Sequence, residues 1–113
     1  MLEKTWRAAT AVAFAAILGM GLAFAGPARA EEVVIKIENF TFNPDAVAIK
    51  AGTTIKWTND DDIPHSVVEA ETKFRSKPID SGETFEMTFT NPGEVNYFCG
   101  LHPHMKGKIT VTP

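Results

Sequence analysis

The sole cysteine of this 113-residue chain, Cys99, lies in the run Tyr97-Phe98-Cys99-Gly100-Leu101-His102-Pro103-His104-Met105. A thiolate, an imidazole and a thioether therefore fall within one short stretch. Together these donors suit copper: sulfur favours Cu(I), imidazole serves either oxidation state, and a weak axial thioether leaves the ion easily oxidised or reduced. A fourth donor has to come from elsewhere, and the only histidine outside the run is His65. The expectation is that His65, Cys99, His102 and Met105 converge on one copper ion. Two residues separate Cys99 from His102 and two separate His102 from Met105, a spacing that bends the loop around an ion while Pro103 limits its freedom. In so compact a turn His104 points away from an ion bound by its neighbours, although the sequence leaves a swap of His104 for His102 open. Each residue also has a structural role it could fill instead: Cys99 as a small buried apolar side chain, His65 at a strand start, Met105 in a core.

The export pattern at the N-terminus decides how an unpaired cysteine is read. Lys4 and Arg7 precede an uncharged stretch from Ala8 to Ala25, Gly26-Pro27 breaks it, and Ala28-Arg29-Ala30 is a small-residue cleavage site. Residues 1–30 are expected to be a secretory signal peptide cut after Ala30, leaving 31–113 as one domain in the periplasm. A retained anchor is the competing reading, because the uncharged stretch is barely long enough to span a bilayer. Exported domains of this size often rely on disulfides, which a single cysteine cannot form within the chain. A bound metal would supply the missing stabilisation and protect the thiol.

The chain carries 11 basic and 14 acidic residues; losing Lys4, Arg7, Arg29 and Glu3 leaves 8 and 13, a net charge of −5. That balance argues against nucleic acid, which needs clustered Lys and Arg, and permits a basic protein partner. Asp60-Asp61-Asp62 reads as a solvated acidic loop, since the spaced carboxylates of a calcium loop are missing.

The elements that must position the donors are short β-rich runs divided by turn residues. The sequence predicts strands over 33–38, 46–50, 53–58, 64–69, 83–89, 94–99 and 107–111, with Asn43-Pro44-Asp45, Ala51-Gly52 and Asn91-Pro92-Gly93 as turns. Residues 70–80 read as a long polar connection. No stretch after residue 30 has helical periodicity of useful length. About seven strands at this spacing indicate an all-β fold, a two-sheet antiparallel Greek-key β-sandwich. Cys99 then ends one strand, and the loop to the last strand lies at one end of the sandwich.

At these residues the chain resembles the cupredoxins, the small blue-copper proteins. The likeness rests on Asp62-Ile63-Pro64-His65-Ser66-Val67 and on the run from Tyr97 to Met105. It extends to Phe42-Asn43-Pro44, to Gly52-Thr53-Thr54-Ile55-Lys56-Trp57-Thr58-Asn59 and to Gly107-Lys108-Ile109-Thr110-Val111. Two residues between His102 and Met105 match the amicyanin type; the plastocyanin and pseudoazurin types have four. The resemblance implies type 1 copper and periplasmic transfer of single electrons, with a dehydrogenase, cytochrome c or reductase as redox partner and a monomeric carrier that does not span the membrane. Two positions depart from the pattern: Ser66 stands where asparagine often bridges the two ligand loops, and His104 replaces a residue that is commonly aromatic or aliphatic. An apolar docking patch of Pro44, Leu101 and Pro103 around a comparatively exposed His102 is also expected. A copper-binding or copper-delivery protein without electron transfer is the main alternative. A structural zinc site, which prefers several cysteines, and an enzyme, which would need a further centre, rank behind it.

Overall fold

The computed structural model describes residues 31–113; the expected signal segment, 1–30, lies outside them. Eight strands follow one another: β1 (Glu32–Glu38), β2 (Thr41–Asn43), β3 (Ala46–Lys50), β4 (Thr53–Asn59), β5 (Val68–Glu69), β6 (Thr84–Phe89), β7 (Gly93–Phe98) and β8 (Lys106–Thr112). They form two four-stranded sheets, ordered β2-β1-β4-β6 and β3-β8-β7-β5. No helix among the described residues is long and apolar enough to cross a membrane.

Alternation in the strands explains how the two sheets meet. Along β4, Thr53, Ile55, Trp57 and Asn59 are buried while the residues between them are half-buried, as a period of two requires. Ile35 and Ile37 of β1, Ile55 and Trp57 of β4 and Phe89 of β6 meet Ile49, Tyr97, Ile109 and Val111 from the other sheet in one continuous core. Trp57 and Tyr97 bridge the sheets edge to face, with ring centroids 5.5 Å apart and planes at 82°, a geometry that adds about 0.5–1.5 kcal/mol to simple burial.

The all-β two-sheet sandwich matches the expectation from sequence, but its ladders are not uniformly antiparallel. β1 pairs with β4, and β3 with β8, in parallel. The cause is chain routing: after the tight β1–β2 turn the chain crosses to the second sheet as β3 and returns as β4, which then runs beside β1 in the same direction. The short β2 is an addition to the seven strands expected; the other bounds agree closely except at 64–69, where only Val68–Glu69 joins the second sheet. His65 instead pairs with Ile79 in an isolated bridge, so the segment is drawn out of the sheet toward one end of the sandwich.

Tyr97 makes two demands on its surroundings. Its ring lies over Gly107, its register partner on β8, and a Cβ at Gly107 would overlap the phenol. Gly107→Ala is expected to destabilise the fold by about 1–3 kcal/mol, the usual cost of overpacking a core, and a urea titration with an unchanged midpoint would contradict this. The Tyr97 hydroxyl and the Trp57 indole N–H are both buried with no hydrogen-bonding partner among the described residues. Burial pushes the Tyr97 phenol up to about 12, opposed weakly by the adjacent Trp57 N–H and aided by the Asp45 carboxylate. The unfolded chain releases this proton near pH 10, so the associated stability is complete below that pH and is lost as pH rises through 12. Its size is on the order of 2–3 kcal/mol. Tyr97→Phe should show a shallower loss of stability over that window when the two proteins are unfolded in parallel.

Candidate metal centre

Two chain segments supply the donors, and each is fixed by its own backbone bonds. At the end of β7 the Cys99 N–H donates to the Met105 carbonyl (3.0 Å), the His102 N–H to the Cys99 carbonyl (3.2 Å) and the Met105 N–H to the His102 carbonyl (2.9 Å). The loop 99–105 is thereby closed on itself between Phe98 and Lys106, which are paired in the β7–β8 ladder. In the other segment the His65 N–H donates to the Ile79 carbonyl at 3.1 Å and the Ile79 N–H returns to the His65 carbonyl at 2.7 Å. Asn59, fully buried at the end of β4, donates from its amide to the Ile63 and Ile79 carbonyls, both at 2.8 Å, and accepts the Asp61 N–H at 2.9 Å. One side chain thus straps the 59–63 loop to the segment that pairs with His65.

Ser66 joins the two segments. Its N–H donates to the Cys99 sulfur at 3.4 Å, and its hydroxyl oxygen accepts the Gly100 N–H at 2.9 Å. The bridge expected of an asparagine at this position is therefore made by the shorter serine. Close approach makes this sufficient: a Cβ on Gly100 would stand only 2.8 Å from the Ser66 oxygen.

The donors meet as a result. Nδ1 of His65 and Nδ1 of His102 each lie 3.7 Å from the Cys99 sulfur, and the three ligand atoms are all within 4.8 Å of one another. Bonds of roughly 2.0 Å to nitrogen and 2.3 Å to sulfur, opened to 120° in a trigonal plane, place N and S about 3.7 Å apart. The set fits a first-row metal ion at its centre. His65 and Cys99 are fully buried, and His102 is half-buried. Met105 is also buried, beside this cluster in sequence and within the same core. His104 is exposed, as are Pro44, Leu101 and Pro103; His102, not His104, is the loop imidazole facing the sulfur.

Two contributors were not legible in the sequence. Asp61, read as part of a solvated acidic run, accepts Nε2–H of His65 at 2.8 Å and the backbone N–H groups of Asn39 (2.7 Å) and Phe40 (3.1 Å). Partial burial works to raise its pKa, but the bonds from Phe40, Asn39 and His65 hold the carboxyl below the usual range. Phe40, to which the sequence assigned no role, is exposed and sits edge-on to both His65 and His102, with centroids 5.6 and 5.1 Å away. An aspartate four residues before a candidate ligand histidine was the available clue to the first; nothing local pointed to the second.

Comparison with known proteins agrees with this arrangement. The family model for the cupredoxin-like domain matches residues 8–111. Amicyanin of Paracoccus versutus is 36% identical over 87 residues, covering 73% of this chain and 66% of that protein, so the match spans just under two thirds of the relative. Amicyanin-alpha of Methylorubrum extorquens is 34% identical over 109 residues, covering 88% of this chain and 87% of its own. Among solved structures, a Cu(I) form of an amicyanin variant superposes with a TM-score of 0.69 at 26% identity, over 72% of this chain and 82% of that one.

The Ser66 bridge can be tested without any metal. Ser66→Ala leaves the part-buried Gly100 N–H without its acceptor, and the metal-free protein is expected to lose about 0.5–1.5 kcal/mol. Equal denaturant midpoints for the variant and the parent would show that the bridge carries no stability.

Proposed function

This chain belongs to the cupredoxin family, whose cofactor is one type 1 copper ion, and on that premise we propose that it carries single electrons between redox proteins. His65, Cys99, His102 and Met105 would hold the ion, supplying two imidazoles, a thiolate and a thioether. The carrying observation is the pair of 3.7 Å separations between the sulfur and the two Nδ1 atoms, set by hydrogen bonds of the protein itself.

When bound, copper supplies a one-electron couple between Cu(I) and Cu(II). The residues around it determine how freely that couple turns over. Two imidazoles, one thiolate and a weak thioether form a set that neither oxidation state demands in full. Backbone bonds within 99–105, the His65–Ile79 pair and the Ser66 bridge hold these donors in place, so a change of oxidation state requires little movement. The Ser66 N–H directed at the sulfur withdraws charge from the thiolate and favours the reduced state. Four protein donors leave no place for a substrate, which supports a carrier rather than an enzyme.

Exposure differs among the ligands, and that difference supports an exit route. His65 is sealed, whereas His102 is half-buried beside exposed Leu101 and Phe40. Electrons enter and leave through the His102 ring across this apolar surface. The export pattern of residues 1–30 supports cleavage after Ala30 and a mature carrier that works in the periplasm. A dehydrogenase, a cytochrome c or a reductase fits as its partner.

Adding Cu(II) to the mature protein is expected to give an intense blue thiolate-to-copper absorption, absent from Cys99→Ser. A colourless copper complex of the parent would overturn the reading. Fast electron self-exchange is expected alongside the colour; slow exchange with ready loss of copper would favour copper delivery instead.

A further inference from the structure

The turn between β1 and β2 is built against ordinary preference. Asn39 and Phe40 are its two central residues, with φ of 53° and 58°. A two-residue hairpin with both central φ values positive favours Asn followed by Gly. Asparagine tolerates that conformation; a phenylalanine there costs about 1–2 kcal/mol. The strained residue is also the one whose ring lies edge-on to both His65 and His102. Local strain retained beside a functional group calls for whatever holds it in place.

The group that holds it is Asp61. Its Oδ1 accepts the Asn39 N–H, and its Oδ2 accepts both the Phe40 N–H and Nε2 of His65. An ionised carboxylate can only accept, so Nε2 of His65 carries the proton and Nδ1 is left with a free lone pair. That lone pair is on the side of the ring 3.7 Å from the Cys99 sulfur. The Asp61 N–H is in turn fixed by the buried Asn59 oxygen, so the carboxylate is not a free surface group. A solvated acid would have no reason to gather three N–H donors from two separate segments.

We propose that Asp61 is a positioning residue with two linked tasks: it fixes His65 in the tautomer that presents Nδ1 to the metal, and it clamps the strained Asn39-Phe40 turn so that Phe40 covers both imidazoles. The consequence for copper rests on the carrier reading above; the tautomer and the clamp do not. With copper bound, the negative charge behind His65 makes the imidazole a stronger donor and stabilises Cu(II) over Cu(I). Asp61 therefore holds the reduction potential down, against the Ser66 N–H, which raises it. Phe40 makes its contact through the turn alone, so the two tasks can be separated by substitution.

The test uses Asp61→Ala, Asp61→Asn and Phe40→Gly. In the metal-free protein, nitrogen NMR of the imidazoles should show the parent and Phe40→Gly with His65 protonated at Nε2. Asp61→Ala should lose that single tautomer. In the copper-loaded proteins both Asp61 variants should shift the reduction potential upward. Asp61→Asn provides this reading if the alanine variant folds poorly, because its amide oxygen still accepts one backbone N–H. Phe40→Gly, which relieves the turn, should be more resistant to denaturant than the parent. An unchanged His65 tautomer in Asp61→Ala, or an unchanged potential in Asp61→Asn, overturns the positioning role. A Phe40→Gly variant no more stable than the parent overturns the strained clamp. Failure of the parent to turn blue would defeat the carrier reading while leaving the metal-free result to stand or fall by itself.

Discussion

The candidate centre depends on two hydrogen bonds made by one serine. His65 and Cys99 are 34 residues apart in the chain, and their mutual distance is the dimension a metal ion would sense most sharply. Ser66 fixes it twice, through its N–H to the sulfur and its hydroxyl to the Gly100 N–H. Neither bond is strong by itself; a net contribution near 1 kcal/mol is typical. Their weight comes from burial and position, since an unmade bond here would leave a donor stranded away from water. With both in place, the two donor-bearing loops are tied to each other by the protein's own hydrogen bonds.

The sandwich makes that bridge possible by delivering both segments to one end. The β7–β8 ladder is in register up to Phe98 and Lys106, so the seven residues between them have little slack. The segment carrying His65 is less constrained by sheet pairing and needs other fastening. Asn59 supplies it from the last position of β4, with its amide bound to the Ile63 and Ile79 carbonyls and its oxygen to the Asp61 N–H. Trp57, two residues earlier on the same face, is packed against Tyr97, two residues before Cys99. The core contact that joins the sheets thus also sets the relative height of the two loops. Packing at Gly107, under the Tyr97 ring, belongs to the same chain of contacts.

What could be read from sequence followed the range of the interactions. Cys99, His102 and Met105 announce themselves by spacing because one short loop holds all three. His65 had to be inferred from the need for a second imidazole, and the structure brings it to the sulfur. The strands were visible wherever apolar residues alternate, as at Ile55 and Trp57 or Ile109 and Val111. The strand expected over 64–69 was not realised in full because His65 pairs with Ile79, and no periodicity in 64–69 could reveal a partner fourteen positions away. Parallel pairing of β1 with β4 was hidden for a similar reason, since it depends on where the chain crosses between sheets. Asp61 was obscured by its neighbours: in an acidic triplet, nothing distinguishes the one carboxylate that turns inward.

The two imidazoles end in opposite surroundings, and this asymmetry gives the centre a direction. His65 is fully buried, its outer nitrogen capped by Asp61, and Phe40 packs edge to face against its ring. His102 has the same distance to the sulfur but a half-buried ring and no carboxylate among its hydrogen-bond partners in the described residues. On the carrier reading proposed above, an electron from a partner protein would meet His102 first, across the apolar surface of Leu101 and Phe40, without a carboxylate to desolvate. The buried side of the centre can then be specialised for fixing geometry and potential, while the exposed side remains free for contact. On the proposed reading, moving the carboxylate from His65 to His102 would reverse both arrangements at once: it would place a charge at the contact surface and remove the anchor from the ligand that most needs one.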